Sequence, residues 1–155
     1  MSRAQPEASL AGAYAGTADR DGLQHCMDLA EQVCARIGAG AEDAYAVNLA
    51  VEEVCVNIVS HGYRDAAPGP LELEFRWSPA DGRGRLEIVV RDRAPLFDPS
   101  AAPEPDLDAS LDDRRVGGLG WFLIGTMMEE VEHCARPGGG NVVRMVRSIG
   151  PKEPA

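Results

Sequence analysis

Three groups of residues have the types and spacing to do chemistry together. Glu53 and Asn57 stand four apart in Leu49-Ala50-Val51-Glu52-Glu53-Val54-Cys55-Val56-Asn57-Ile58-Val59-Ser60-His61-Gly62-Tyr63, so on a helix they share one face. At ~100° per residue they lie about 40° apart, while Val47, Ala50, Val51, Val54 and Ile58 fall on an adjacent stripe at roughly 60–160° from Glu53. A carboxylate and a carboxamide thus edge a face that must be buried. Buried polar groups need partners, and a ligand or metal ion is a candidate. The second group is Arg91-Asp92-Arg93-Ala94-Pro95-Leu96-Phe97-Asp98-Pro99, where Asp92 ends a strand and opens a long loop. The third is Val116-Gly117-Gly118-Leu119-Gly120, a glycine-rich entry to a helix.

Glycines before a helix let backbone approach a ligand, and the free N–H groups of the first turn favour phosphate. A strand-end Asp can accept a hydrogen bond from an exocyclic amine such as that of adenine. An Asn oxygen can join phosphates and water around Mg²⁺, which prefers hard oxygen ligands. A Glu one turn away can activate a water or a hydroxyl for attack on a γ-phosphate. Together these describe a nucleotide–Mg²⁺ site with a base beside it.

Each piece also has a plainer reading. Gly-Gly-x-Gly before a helix commonly serves turn and packing geometry. Asp92 suits a strand end or turn, Glu53 and Asn57 a solvated helix edge, and His61 the negative end of a helix dipole. The chain has no G-x-x-x-x-G-K-[ST] loop, and Gly118-Leu119-Gly120 does not continue as G-x-G-x-x-G. The two commonest phosphate motifs are therefore excluded as readings of these glycines.

The elements that must position these groups follow from periodicity. Residues 19–37 carry Leu23, Met27, Ala30, Val33, Cys34 and Ile37 at helical spacing, with Asp19 as N-cap and Gly38 as stop. A second helix is expected over 41–62, ending at Gly62. Leu71 to Trp77 alternates strictly, and after Pro79-Ala80-Asp81-Gly82 so do Leu86, Ile88 and Val90, so 71–91 reads as a β-hairpin. Residues 94–115 hold four prolines and, from Asp98 to Asp113, six acidic residues, which suits a functional loop such as a lid or a disordered segment. A third helix is expected over 119–130 with Leu119, Leu123 and Met127 on one face. Val131 to Ala135 and Val142 to Arg147 suggest a closing hairpin around Pro137 to Gly140. The fold class is α+β: a two-layer sandwich with helices on one face of a mixed, largely antiparallel sheet.

Composition limits the rest. At 155 residues, with 45% hydrophobic and 26% charged content, the chain fits one domain with a single core. A net charge of −10 argues against direct nucleic-acid or anionic-membrane binding, both of which need a basic surface. Cys26, Cys34, Cys55 and Cys134 form no C-x-x-C pair, so neither zinc nor a disulfide framework is signalled. With no apolar leader and no run near ~18 apolar residues, the expectation is a soluble cytoplasmic protein. The domain is expected over 8–148, with 1–7 and 149–155 as flexible termini.

Order and spacing combine these signals. Glu-x-x-x-Asn-x-x-x-His-Gly-Tyr, then Arg-Asp-x-x-x-x-Phe-Asp-Pro, then Gly-Gly-Leu-Gly opening a helix, resembles the anti-sigma-factor serine/threonine kinases of bacterial partner-switching systems. These belong to the Bergerat-fold (histidine-kinase-like ATPase) superfamily. The resemblance implies ATP and Mg²⁺ as cofactors, Glu53 as general base and Asn57 as the Mg²⁺-binding residue. It implies that Asp92 recognises the adenine amine, that Gly117, Gly118, Leu119 and Gly120 wrap the phosphates beneath the 94–116 loop, and that His61 points to the phosphate end. The implied substrate is a serine or threonine of a STAS-domain anti-anti-sigma protein. The implied target is a sigma factor or another regulatory protein, a PPM-type phosphatase resets the switch, and a homodimer is open to it. Three departures stand out. The Asp-x-Gly-x-Gly box reads Asp92-Arg93-Ala94-Pro95-Leu96, Gly140-Asn141 replaces a Gly-Thr whose hydroxyl assists adenine recognition, and Val116 replaces an Arg, with Arg114 and Arg115 adjacent. A non-catalytic module that holds ATP, or nothing, and sequesters a partner is the alternative.

Overall fold

The computed structural model describes residues 7–64, 66–97 and 118–150. Strand β1 (Ser9–Thr17) leads into helix α1 (Arg20–Arg36) and helix α2 (Ala41–Asn57), which runs on through one wide π-type turn at Ile58–Gly62. Strands β2 (Pro70–Ser78) and β3 (Gly84–Asp92) form the expected hairpin. Helix α3 (Gly118–Met127) and strands β4 (Glu130–Ala135) and β5 (Asn141–Ile149) complete the chain. The five strands form one sheet in the order β1-β2-β3-β5-β4. All four pairings are antiparallel, so the sheet is antiparallel throughout the described residues rather than mixed.

Period-two patterning decides the sheet's inner face. Leu71, Leu73 and Phe75 of β2, Leu86, Ile88 and Val90 of β3, and Val143, Met145 and Ile149 of β5 are buried. They meet Cys26, Ala30, Val33 and Cys34 of α1 and Val47, Ala50, Val51, Val54 and Cys55 of α2. Small side chains on the helices allow close packing, and each large aliphatic group buried there contributes about 1.5–3 kcal/mol. The opposite face is laced by ion pairs between strands, including Arg144 Nε to Glu87 (2.7 Å), Arg85 to Glu130 (3.2 Å) and Arg91 to Glu74 (3.6 Å).

Helix ends follow the sequence signals where those are local. Asp19 caps α1 by accepting from Gly22 N at 2.7 Å, and Gly38 follows its end at φ +73°. Two expectations change. The helix expected over 41–62 leaves α geometry at Ile58. The third helix, expected over 119–130, runs Gly118–Met127; its buried side carries Gly120 and Ile124, and Met128 just after it is buried too. Strand β1 was not expected at all. Its edge position suits its small residues: a Cβ at Gly12 would lie 2.8–2.9 Å from side-chain carbons of Val33 and Leu29 on α1.

A largely buried ion pair ties the layers together. Arg147 on β5 donates through Nε and Nη2 to Asp43 Oδ1 (3.0 and 2.9 Å) in the first turn of α2, and through Nη1 to the Met127 carbonyl at the end of α3. Asp43 Oδ2 also accepts from Gly150 N at 3.1 Å. Asp43→Ala strands the guanidinium and is expected to lower unfolding free energy by about 3 kcal/mol. Urea denaturation measures this, and a loss below about 0.5 kcal/mol would show the pair to be structurally idle.

Candidate functional site

Asp92 is the last residue of β3 and is only 3% exposed. A buried carboxylate needs donors, and two come from the chain. Asp92 Oδ1 accepts from Ala94 N (2.8 Å), closing a tight turn after the strand, and from Asn141 Nδ2 (2.9 Å) at the start of β5. The register places Asp92 directly opposite Asn141. Gly140 permits this approach: it has φ +116°, and a Cβ there would overlap the Asp92 carbonyl. Asp92 Oδ2 has no hydrogen-bond partner among the described residues.

Asn141 spends both ends of its carboxamide inside the chain. Nδ2 also faces the carbonyls of Pro95 (3.1 Å) and Ala94 (3.4 Å), while Oδ1 accepts from Phe97 N (2.9 Å) and lies 2.8 Å from His133 Nε2. Three acceptors around Nδ2 set the amide orientation, so His133 must donate from Nε2. Asn141 therefore pins residues 94–97. Tyr63 braces the same corner from the other side, donating to the Pro70 carbonyl (2.6 Å) and accepting from Arg93 N (2.9 Å). Arg93 donates to the carbonyls of Pro137 and Gly139, both at 2.8 Å, and so joins the β4–β5 turn to the end of β3.

Beneath this corner is a cavity of about 520 Å³, within the size range of small-molecule sites. Asn57, His61, Asp92, Ala94 and Asn141 line it, as the sequence reading groups them. Its apolar wall comes from Val54, Ile58, Leu96, Phe97, Trp121 and Val143. Phe97 meets Trp121 and His133 edge-on, at 6.5 and 6.4 Å between ring centres. The aromatic wall and His133 were missed, because only the assembled sheet brings β4 and α3 to this place. Ala94 is buried, and its φ is not positive, so the backbone here accepts a residue other than glycine.

Glu53 is not part of the cavity wall. It is packed against Gly120 of α3 instead. Burial pushes its carboxyl above the usual range, and the neighbouring Glu52 carboxylate adds to the shift. Gly118 opens α3, and Gly120 does not line the cavity. Gly117, Arg114, Arg115 and the loop from 98 onwards lie outside the described residues. No group of three or more His, Cys, Asp or Glu among the described residues could hold a metal ion. None of the described helices is long and apolar enough to cross a membrane.

Comparison with known proteins fits this geometry. The family model described as "Histidine kinase-like ATPase domain" matches residues 17–147. The chain belongs to that family. It is 37% identical over 101 residues to the serine-protein kinase RsbW of Halalkalibacterium halodurans, covering 63% of this chain and 59% of that protein. RsbW of Bacillus pumilus is 35% identical over 112 residues, with 68% and 67% covered. The serine/threonine-protein kinase BtrW of Bordetella bronchiseptica is 29% identical over 108 residues, with 70% and 73% covered. The matched region spans about three fifths of the first of these relatives. A solved structure of the RsbU and RsbW domains of a Mycobacterium tuberculosis protein superposes with a TM-score of 0.61 at 15% identity, covering 93% of this chain and 35% of that one. The likeness to the anti-sigma kinase group and the Bergerat-type fold of helices on an open sheet are thereby borne out.

Within this histidine kinase-like ATPase domain, Asn141→Ala is expected to lower stability by about 2–3 kcal/mol, because it orphans the Phe97 N–H and withdraws a donor from Asp92. Hydrogen exchange should show protection of Phe97 N–H lost, and unchanged protection would refute the pinning role. The raised Glu53 pKa has its own signature. A folded-state pKa above the unfolded value contributes stability that is present below the unfolded pKa and lost as pH rises through the folded one. Glu53→Gln is therefore expected to gain stability relative to wild type between pH 4 and pH 7. A difference that does not vary with pH in urea titrations would contradict this.

Proposed function

We propose that this domain is an ATP-dependent protein serine/threonine kinase of the anti-sigma type, acting in the cytoplasm. It phosphorylates a STAS-domain antagonist and sequesters a sigma factor or another regulatory target, and a PPM-type phosphatase reverses the modification. The observation that carries this reading is the pairing of Glu53 with Asn57 one turn apart, Asn57 on a cavity whose Asp92 has one carboxylate oxygen without a hydrogen-bond partner among the described residues. The serine- and serine/threonine-protein kinase names of the relatives support it.

In this reading Asp92 Oδ2 accepts a hydrogen bond from the exocyclic amine of adenine, and the apolar wall takes the ring. Asn141 positions Asp92 rather than reading the base itself. The donor set fits Mg²⁺: Asn57 offers a neutral oxygen beside a cavity without a carboxylate cluster, which suits a cation held mainly by phosphates and water. When bound, Mg²⁺ would offset the negative charge of the triphosphate. The opening N–H groups of α3 face no intrahelical acceptor and suit phosphate. Glu53 takes the proton of the serine or threonine hydroxyl as its oxygen bonds to the γ-phosphorus and the bond to the β-phosphate oxygen breaks. A base outside the nucleoside cavity, toward α3, fits a hydroxyl brought by a second protein.

Ala94 and Leu96 favour one second reading. With a methyl and an exposed isobutyl group where the superfamily pattern has glycines, the domain would hold ATP weakly and act only by sequestration. Transfer from radiolabelled ATP with Mg²⁺ and the STAS partner decides between them. Wild type is expected to label the partner. Glu53→Gln should abolish labelling with ATP affinity intact, and Asn57→Ala should weaken binding in the presence of Mg²⁺. Tight partner binding without any transfer would leave the sequestration reading standing alone.

A further inference from the structure

Gly120 was expected among the phosphate-wrapping glycines, yet it faces another way. It is buried, it is absent from the cavity wall, and it sits on the side of α3 that packs on α2. A Cβ built on it would overlap Glu53 Oε2 and lie 3.2 Å from Glu53 Cδ and 3.7 Å from Glu53 Cβ. The Glu53 carboxylate therefore occupies the space that any side chain at 120 would fill. Gly125 further along the same helix differs: a Cβ there meets nothing within 4 Å.

The geometry points to Gly120 as a positioning residue that seats the Glu53 carboxylate against the first turn of α3. Glycine is a poor helix former, costing about 1 kcal/mol relative to alanine, and at 120, unlike at 125, its lack of a side chain leaves room for the Glu53 seat. The seat holds the carboxylate in one place at the edge of the helix whose opening N–H groups suit phosphate, and partial burial there also accounts for the raised pKa of Glu53. An alanine would push the carboxylate toward solvent or lift α3 from α2. Misplacement by ~1 Å costs a reacting group on the order of 10²-fold in rate. The consequence for phosphotransfer rests on the kinase reading; the seat itself does not.

Two measurements on the full chain keep these apart. The first is a stability cycle in urea with wild type, Gly120→Ala, Glu53→Ala and the double variant. Gly120→Ala is expected to stabilise less, or to destabilise, in wild type, and to give the full gain of helix propensity when Glu53 is already alanine. Equal effects in both backgrounds would overturn the inference. If Gly120→Ala alone does not fold, folding of the double variant gives the same support, and failure of both overturns it. The second is phosphotransfer with ATP affinity read separately. Gly120→Ala should slow transfer on the order of 10²-fold with affinity unchanged, whereas loss of affinity at an unchanged transfer rate would assign Gly120 to the phosphates instead. If wild type transfers no phosphate, the kinase reading fails, and the cycle alone decides the seat.

Discussion

A carboxylate removed from water must be met by donors, and the way Asp92 meets this demand organises one end of the molecule. Its partners come from the turn just after it and from the opposite strand. The strand cannot end differently, the turn cannot open and β5 cannot slip without leaving the carboxylate uncompensated. Because Asn141 then uses its remaining capacity on residues 95–97 and His133, the order imposed at one oxygen reaches the cavity's aromatic wall. The second oxygen, without a hydrogen-bond partner among the described residues, gives this rigid corner a polar opening. That combination, a fixed scaffold that offers an acceptor, is what a discriminating small-molecule site requires.

The cavity and Glu53 belong to different structural neighbourhoods. Asn57, His61 and Asp92 surround the cavity at the ends of α2 and β3, while Glu53, one turn earlier, packs against α3. One helix thus feeds two environments, and a turn of α-helix, ~5.4 Å, separates them. Binding a nucleotide and activating a hydroxyl make different demands on their surroundings. The first favours a shaped apolar wall, the second a carboxylate whose basicity is lifted by partial burial.

Signals local in the chain were readable from it. The caps of α1, the alternation of β2 and β3, and the glycine turn between β4 and β5 are each written within a few residues. So was the grouping of Asn57, His61, Asp92, Ala94 and Asn141, although the role of Asn141 was not: its amide is committed to chain atoms that come together only in the folded sheet. Strand β1 escaped because Ser-Leu-Ala-Gly-Ala-Tyr-Ala-Gly-Thr lacks the branched and aromatic alternation of a half-buried strand. Close approach of α1 selects its small residues instead. Helix α3 is apolar all round, so periodicity alone could not say which side meets α2. His133 and Trp121 carry no motif and are brought to the cavity by topology.

The π-type turn at Ile58–Gly62 sets a phase. An ordinary helix repeats its directions, so each residue inherits its heading from those before it. A widened turn absorbs one extra residue and resets the heading of the chain beyond. The next residue is Tyr63, whose hydroxyl must reach both the first residue of β2 and the first amide after β3. Chain length between Asn57 and Tyr63 is consequently not slack. It acts as an angular spacer, and losing or gaining one residue there would turn the tyrosine away while leaving every residue type intact.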